Sequence, residues 1–218
     1  MSPLPDRPDL PALPALPDYR LAAGIARLAM RHRGHFSPET IQRLVTDSYD
    51  RLAVRARVRA HLVVLAEQLA AERLDALAHI DGASGTGLPR VLFVCGHNAG
   101  RSQMAAALLH HRADGRVAVS SAGTDPGPGV EPVVALVLTE VGIDLCDAFP
   151  KPLTDEIVRA ADIVVTMGCG DACPVVPGRR YLDWPLPDPE AAPIAVVRAI
   201  RDDIDARVTE LLGSLIRD

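Results

Sequence analysis

Val91-Leu92-Phe93-Val94-Cys95-Gly96-His97-Asn98-Ala99-Gly100-Arg101-Ser102 is the stretch that decides the reading of this chain. A short apolar run, Val91–Cys95, reads as a buried strand that ends on a cysteine. A glycine-bearing loop follows, then Arg-Ser, then a helical pattern over Ser102–Arg112. The start of a helix offers free backbone N–H groups and the positive end of the dipole, so it favours an anion there, a thiolate included. Arg101 adds a planar fork of donors that fits a tetrahedral oxyanion in bidentate fashion. Ser102 can donate to a Cys95 thiolate. Gly96 and Gly100 are expected to give the loop φ > 0 and to let an anion approach the backbone. The bland alternative is a buried strand-end cysteine near an unrelated arginine. Strand, glycine loop, Arg-Ser and helix in that order favour a catalytic oxyanion loop built from Gly96, His97, Asn98, Ala99, Gly100, Arg101 and Ser102, with Cys95 as nucleophile. His97 is expected to point outward, and Asn98 to brace the loop, because Asn tolerates left-handed geometry.

Working outward, strands alternate with helices from Arg90 on. Val117–Ser121, Asp162–Met167 and Tyr181–Trp184 read as strands. Glu131–Val141, Asp155–Ala160 and Ile194–Ile216 read as helices, the last with Ile200, Ile204, Val208, Leu211 and Leu215 on one face. That alternation predicts an α/β fold: a parallel sheet flanked by helices, with its site at the carboxyl ends of the strands, where Cys95 falls.

The first part of the chain is different. Residues 1–17 hold six prolines and read as an extended tail. Residues 18–80 read as a small all-α bundle of three amphipathic helices. Leu21, Ile25 and Leu28 make one stripe. Ser37-Pro38 is a helix start, with Ser as N-cap and Pro at the first position, followed by Ile41, Leu44, Val45, Tyr49 and Leu52. Val58, Leu62, Leu65 and Leu69 make the third stripe. Residues 81–89 read as a linker, leaving 90–218 as the catalytic domain.

Bulk properties bound the function. The net charge is −5, which argues against general nucleic-acid binding. Residues 19–61 carry nine Arg against three acids, yet the whole chain has 22 Arg and one Lys, Lys151, so this bias looks like codon usage in a GC-rich genome and is weak evidence of function. Arg51, Arg55, Arg57 and Arg59 read as a solvated rim, with a DNA-reading helix in a regulatory module as the sharper alternative. No apolar run approaches the length of a membrane span, and the Pro-rich start does not resemble a signal peptide. Four cysteines in a chain this long, one of them in the loop, point to a reducing cytoplasm rather than a disulfide scaffold.

Chemistry on an oxyanion needs a proton for the departing oxygen. Asp188, stiffened between Pro187 and Pro189, is the candidate acid, against the plain reading of a turn-forming Asp; Asp183 is the weaker choice. Cys169 and Cys173 follow a strand and should share the rim with Cys95. On a regular helix, residues four apart have Cβ atoms about 5–6 Å apart, whereas a disulfide needs roughly 3.5–4.5 Å, so a redox role requires that segment to be non-helical. Gly168, Gly170 and Pro174 favour that. A lone C-x3-C is a poor zinc match, so no metal is expected. Cys146 reads as incidental.

These residues resemble the low-molecular-weight protein tyrosine phosphatase family, and within it the thioredoxin-coupled arsenate reductases. The matching pieces are Cys95–Ala105, Ser121-Ala-Gly123, Lys151-Pro-Leu-Thr154, Thr166–Pro174 and Asp188-Pro189. Arg-Ser-Gln-Met in place of Arg-Ser-Pro, and Glu rather than Tyr after Asp-Pro, favour reductase over phosphatase. The resemblance implies Cys95 as nucleophile, Arg101 as clamp, Asp188 as acid, and Cys169 and Cys173 as shuttle thiols. No bound cofactor is implied. The reductant would be thioredoxin, or a small thiol such as mycothiol with a mycoredoxin-like protein, since the two shuttle positions are more closely spaced than in the three-cysteine reductases. Phosphomonoester hydrolysis is the enzymatic alternative. The helical region resembles the three-helix extension of actinobacterial members, which implies a homodimer through it.

Overall fold

The computed structural model describes residues 18–54, 56, 61–83, 87–169 and 173–216. The expected Pro-rich tail, together with Val58, Arg55, Arg57, Arg59 and Gly170, lies outside them. Seven helices and four strands follow in the order α1 (Asp18–Arg31), α2 (Pro38–Ala53), α3 (Leu62–Ile80), β1 (Arg90–Cys95), α4 (Arg101–Ala113), β2 (Ala118–Gly123), α5 (Pro132–Thr139), α6 (Asp155–Ala160), β3 (Ile163–Thr166), β4 (Arg180–Asp183) and α7 (Ile194–Leu215). Most ends differ from the sequence reading by one or two residues. β2 runs on to Gly123 because its last two residues pair with Val94 and Cys95.

The sheet is parallel with order β2-β1-β3-β4. β1 is therefore flanked by strands that leave to opposite sides, and the crevice beyond its carboxyl end is where open α/β sheets bind ligands. β1 reads as unbroken apolar sequence because both of its faces are covered. Val91, Phe93 and Cys95 face a core made with α4, α5 and α7. Leu92 and Val94 face a second core with α6.

That second core corrects one expectation. α3 is the third helix of the expected bundle, but its buried residues do not form a single apolar stripe. Leu62, Ala66, Ala70 and Leu74 pack on α1 and α2, while Ala76 enters the core under the sheet beside α6. A helix buried on two sides has no single apolar stripe, and Leu65 is only half-buried. The start of α2 follows local rules: the Ser37 hydroxyl accepts from the Thr40 amide at 3.2 Å, with Pro38 at the first position. Arg51 is exposed and pairs with Asp47 at 2.7 Å.

His32, just after α1, is 8% exposed, and its Nε2 sits 3.6 Å from Asp75 Oδ1 without a hydrogen bond. Burial lowers its pKa. Asp75 opposes that shift, and Arg31 and His35 add to it. The unfolded chain then takes up a proton more readily than the folded one, so this contribution is complete above the unfolded value of about 6.5 and is lost as pH falls from there through the lower folded value. The thermal midpoint is expected to drop between about pH 7.5 and pH 5.5, and to drop less in His32→Leu. Equal slopes in the two proteins would remove His32 from the account.

Candidate active site

Cys95 ends β1 at 2% exposure. Its Sγ lies 3.0 Å from Ser102 Oγ, and the Asn98 amide donates to it at 3.2 Å. Ser102 Oγ also accepts from Asn98 Nδ2 at 2.8 Å, which leaves the hydroxyl proton for the sulfur. Asn98 is fully buried at φ 48°. Its Oδ1 accepts from the Lys151 amide at 2.8 Å and from Gln103 Nε2 at 3.1 Å. Gln103 Nε2 also reaches the Asn98 and Phe149 carbonyls.

The loop's carbonyls are tied outward. Those of Cys95, Gly96, His97 and Ala99 accept from the amides of Thr124, Asp125, Gly127 and Glu131 at 2.8–3.2 Å. In a trans peptide the N–H points opposite to the C=O. The amides of Gly96, His97, Asn98 and Gly100 therefore point away from those partners, and that of Asn98 faces Cys95 Sγ, an arrangement that suits a tetrahedral oxyanion.

Glycine's role differs from the sequence expectation. Neither Gly96 nor Gly100 has positive φ; the left-handed residue of the loop is Asn98. Gly100 is needed for contact, since a Cβ there would lie 2.6 Å from Pro189 Cγ. Gly123 matters most. A Cβ there would lie 2.7 Å from the Gly96 carbonyl oxygen and 2.9 Å from the Asn98 nitrogen, both backbone. Gly123→Ala must push the loop aside, and inorganic phosphate is expected to protect Cys95 from alkylation about tenfold less well. Unchanged protection would show that the loop can yield.

Arg101 opens α4 with its side chain 11% exposed. Its NH1 donates to the Leu186 carbonyl at 3.2 Å and its NH2 to Asp188 Oδ2. The other Asp188 oxygen accepts from the Glu190 amide at 3.1 Å. The clamp and the acid expected from sequence are thus in contact with one another, so an arriving oxyanion would share Arg101 with Asp188. Asp183 instead accepts from Thr166 Oγ1 at 2.7 Å. His97 points outward, half-exposed, with Nδ1 3.8 Å from Glu190 Oε2.

All four cysteines are free. Cys169 follows β3 in non-helical chain, after Gly168 at φ 76°. Residues 170–172, between the two thiols, lie outside the described residues. A hydrogen bond from the Cys173 thiol lowers Cys169 to about 6; burial opposes this, and backbone amides assist. Cys173 is raised by the same contact and by burial. Cys169 Sγ lies 3.9 Å from the carbonyl oxygen of Val94, the neighbour of Cys95. Cys146 is exposed and donates to Asp144 at 2.9 Å, and that carboxylate raises its pKa. Among the described residues no cluster of His, Cys, Asp or Glu could hold a metal ion, and no helix is long and apolar enough to cross a membrane.

Residues 90–218 match the family described as low molecular weight phosphotyrosine protein phosphatase, and residues 21–78 match the protein-tyrosine-phosphatase-like N-terminal domain. A thioredoxin-dependent arsenate reductase from Corynebacterium glutamicum is 47% identical, with a TM-score of 0.80 over 89% of this chain and 95% of that one. The chain belongs to the low molecular weight phosphatase family, among its arsenate reductases with an N-terminal helical domain. A putative arsenate reductase of Halobacterium salinarum is 37% identical over 58% of this chain and 92% of its own length. The glutaredoxin arsenate reductase of Synechocystis is 31% identical over 59% and 99%.

Gln103, Lys151 and the outward-tied loop were not assigned roles from sequence. Gln103, Gly123 and Lys151 fall inside the matching motifs, which marks the positions. Their function needs the fold: Gln103 and the Lys151 amide brace Asn98, and Gly123 leaves room for the loop.

Proposed function

We propose that the protein reduces arsenate to arsenite through Cys95 and passes the oxidation to Cys169 and then Cys173. The observation that carries this reading is a second thiol, acidified to about 6, beside the strand end that bears Cys95. A phosphatase has no use for it.

The Cys95 thiolate attacks arsenic(V) of arsenate held by the inward amides and Arg101, and an oxygen leaves as water with a proton from Asp188. The Cys169 thiolate then attacks Cys95 Sγ. The S–As bond breaks with its electron pair going to arsenic, which departs as arsenite, arsenic(III), and a Cys95–Cys169 disulfide remains. Cys173, once deprotonated, attacks Cys169, frees Cys95 and leaves a Cys169–Cys173 disulfide. A thioredoxin returns two electrons to that disulfide. A small oxyanion is favoured over a tyrosyl phosphate by the rim, where the hollow beside His97, Asp125–Pro132 and Glu190 (about 730 Å³) is lined by no Phe, Tyr or Trp among the described residues.

A cytoplasmic setting and a homodimer through the helical region are further parts of this proposal. Sedimentation at micromolar concentration tests the dimer. The activity is tested by arsenate-dependent NADPH oxidation with thioredoxin and thioredoxin reductase. Turnover is expected. Silence there with turnover on a small thiol and its redoxin would move the protein to single-cysteine chemistry, and aryl phosphate hydrolysis alone would make it a phosphatase.

A further inference from the structure

The one lysine of the chain lies between the helical region and the oxyanion loop. Lys151 Nζ is 2.9 Å from both carboxylate oxygens of Glu72, on α3. The ammonium also lies 5.6 Å from the centre of the Phe149 ring. The Lys151 side chain is 14% exposed and Glu72 37%, so the pair is partly shielded from solvent. The backbone of the same residue holds the loop: its N–H donates to Asn98 Oδ1, and its carbonyl accepts from Gly123 at 2.8 Å. Asn98 in turn gives its amide to Cys95 Sγ and its Nδ2 to Ser102.

Residues 148–152 contain no helix or regular strand, only a bridge from Pro152 to Gly123. Such a segment keeps considerable conformational freedom unless its side chains are anchored. α3 is a rigid anchor, packed on α1, α2 and the sheet. A point charge on a long stem suits this task, because it can lie along Phe149 and still reach both carboxylate oxygens. A chain that uses arginine 22 times has lysine at this position alone.

We infer that Glu72 and Lys151 are positioning residues through which the helical region sets the Cys95–Ser102 loop for oxyanion binding. The N-terminal region thereby acts as part of the active-site scaffold. The inference rests on the oxyanion-loop reading above, and its test does not need arsenate turnover.

The test measures how inorganic phosphate protects Cys95 from iodoacetamide. The Cys95 peptide is followed by mass spectrometry in wild type, Glu72→Gln, Lys151→Met and the double variant. Thermal unfolding confirms that each is folded at the assay temperature. Glu72→Gln changes a half-exposed side chain by one atom and should fold normally. The phosphate constant is expected to weaken about three- to tenfold in each single variant, and no further in the double. A purely structural pair would lower the melting temperature and leave the phosphate constant of the folded protein alone. Constants within twofold of wild type in both single variants, or fully additive losses, overturn the positioning role. Absence of protection in wild type overturns the loop reading itself and this inference with it, whereas unchanged variants beside a protected wild type overturn the positioning role alone.

Discussion

Cys169→Ser is expected to abolish thioredoxin-coupled arsenate turnover, a loss of about 10³-fold or more, as when an enzyme loses a nucleophile. A hydroxyl cannot displace arsenite from sulfur or form a disulfide, so the arsenic–Cys95 adduct has no exit. Cys173→Ser should fail at a later step. One equivalent of arsenite per enzyme is released in a burst and turnover stops, leaving a Cys95–Cys169 disulfide seen by mass spectrometry as the loss of two hydrogen atoms. The difference follows from the geometry. Cys169 Sγ lies beside Val94 of β1, whereas Cys173 is buried in the second core, and its thiol is the main cause of the lowered Cys169 pKa. The same contact has a pH signature. Cys169 near 6 is mostly thiolate at pH 7, so it should alkylate readily there, and Cys173→Ala should move that reactivity to higher pH. Full turnover by Cys173→Ser with thioredoxin would break the proposed order of transfer.

Arg73→Met is expected to destabilise the fold by about 3 kcal/mol, a drop of roughly 6–12 °C in melting temperature for a chain of this size. Arg73, on α3, is 5% exposed. It donates to Asp47 at 2.6 Å, to Ser48 at 2.9 Å, both on α2, and to Glu156 at the start of α6. It joins the helical region to the sheet through charge-assisted bonds. Removing it strands a fully buried hydroxyl and a carboxylate 14% exposed, and the cost is that unmet solvation rather than the value of the pair. The loss sits at the lower end of the range for a broken buried pair because Asp47 is 39% exposed and can turn to water. Replacing Arg73 and Glu156 together by apolar residues should recover part of the loss. A single-variant midpoint within about 2 °C of wild type would show that the two units do not depend on this junction. The effect should shrink in acid. Burial works against the Asp47 charge, but hydrogen bonds from Arg51 and Arg73 and their positive charges outweigh it and lower its pKa. That contribution is present above the unfolded aspartate value of about 3.9, and is lost as pH falls through the lower folded value.

Much of the molecule could be read along the chain, because the responsible physics is local. Ser37-Pro38 announces a helix start through one hydroxyl and one missing N–H, and α2 begins there. The apolar faces of α2 and α7 follow helical spacing, since each packs on one side only. Val91–Cys95 reads as a strand because β1 is covered on both faces. Motif order alone placed Cys95 before a helix start that carries Arg101 and Ser102. α3 is present as a helix, but its stripe is less legible because its burial is divided between two cores, which removes the periodicity that a single stripe would show. Gly96 and Gly100 lack the positive φ expected of them, and Gly100 serves clearance instead, because its neighbour Pro189 comes from elsewhere in the chain.

The sequence by itself determined the fold class, the family, and the order of strand, Cys95, glycine-bearing loop, Arg101-Ser102 and helix. Each is written in contiguous residues whose chemistry needs no distant partner. Only the tertiary structure decided that α3 belongs to the sheet's second core, that Arg101 and Asp188 hold one another, that Cys173 acidifies Cys169, and that Glu72 reaches Asn98 through Lys151. Those are relations between residues far apart in the chain, and their energies depend on distances of a few ångströms that only packing sets.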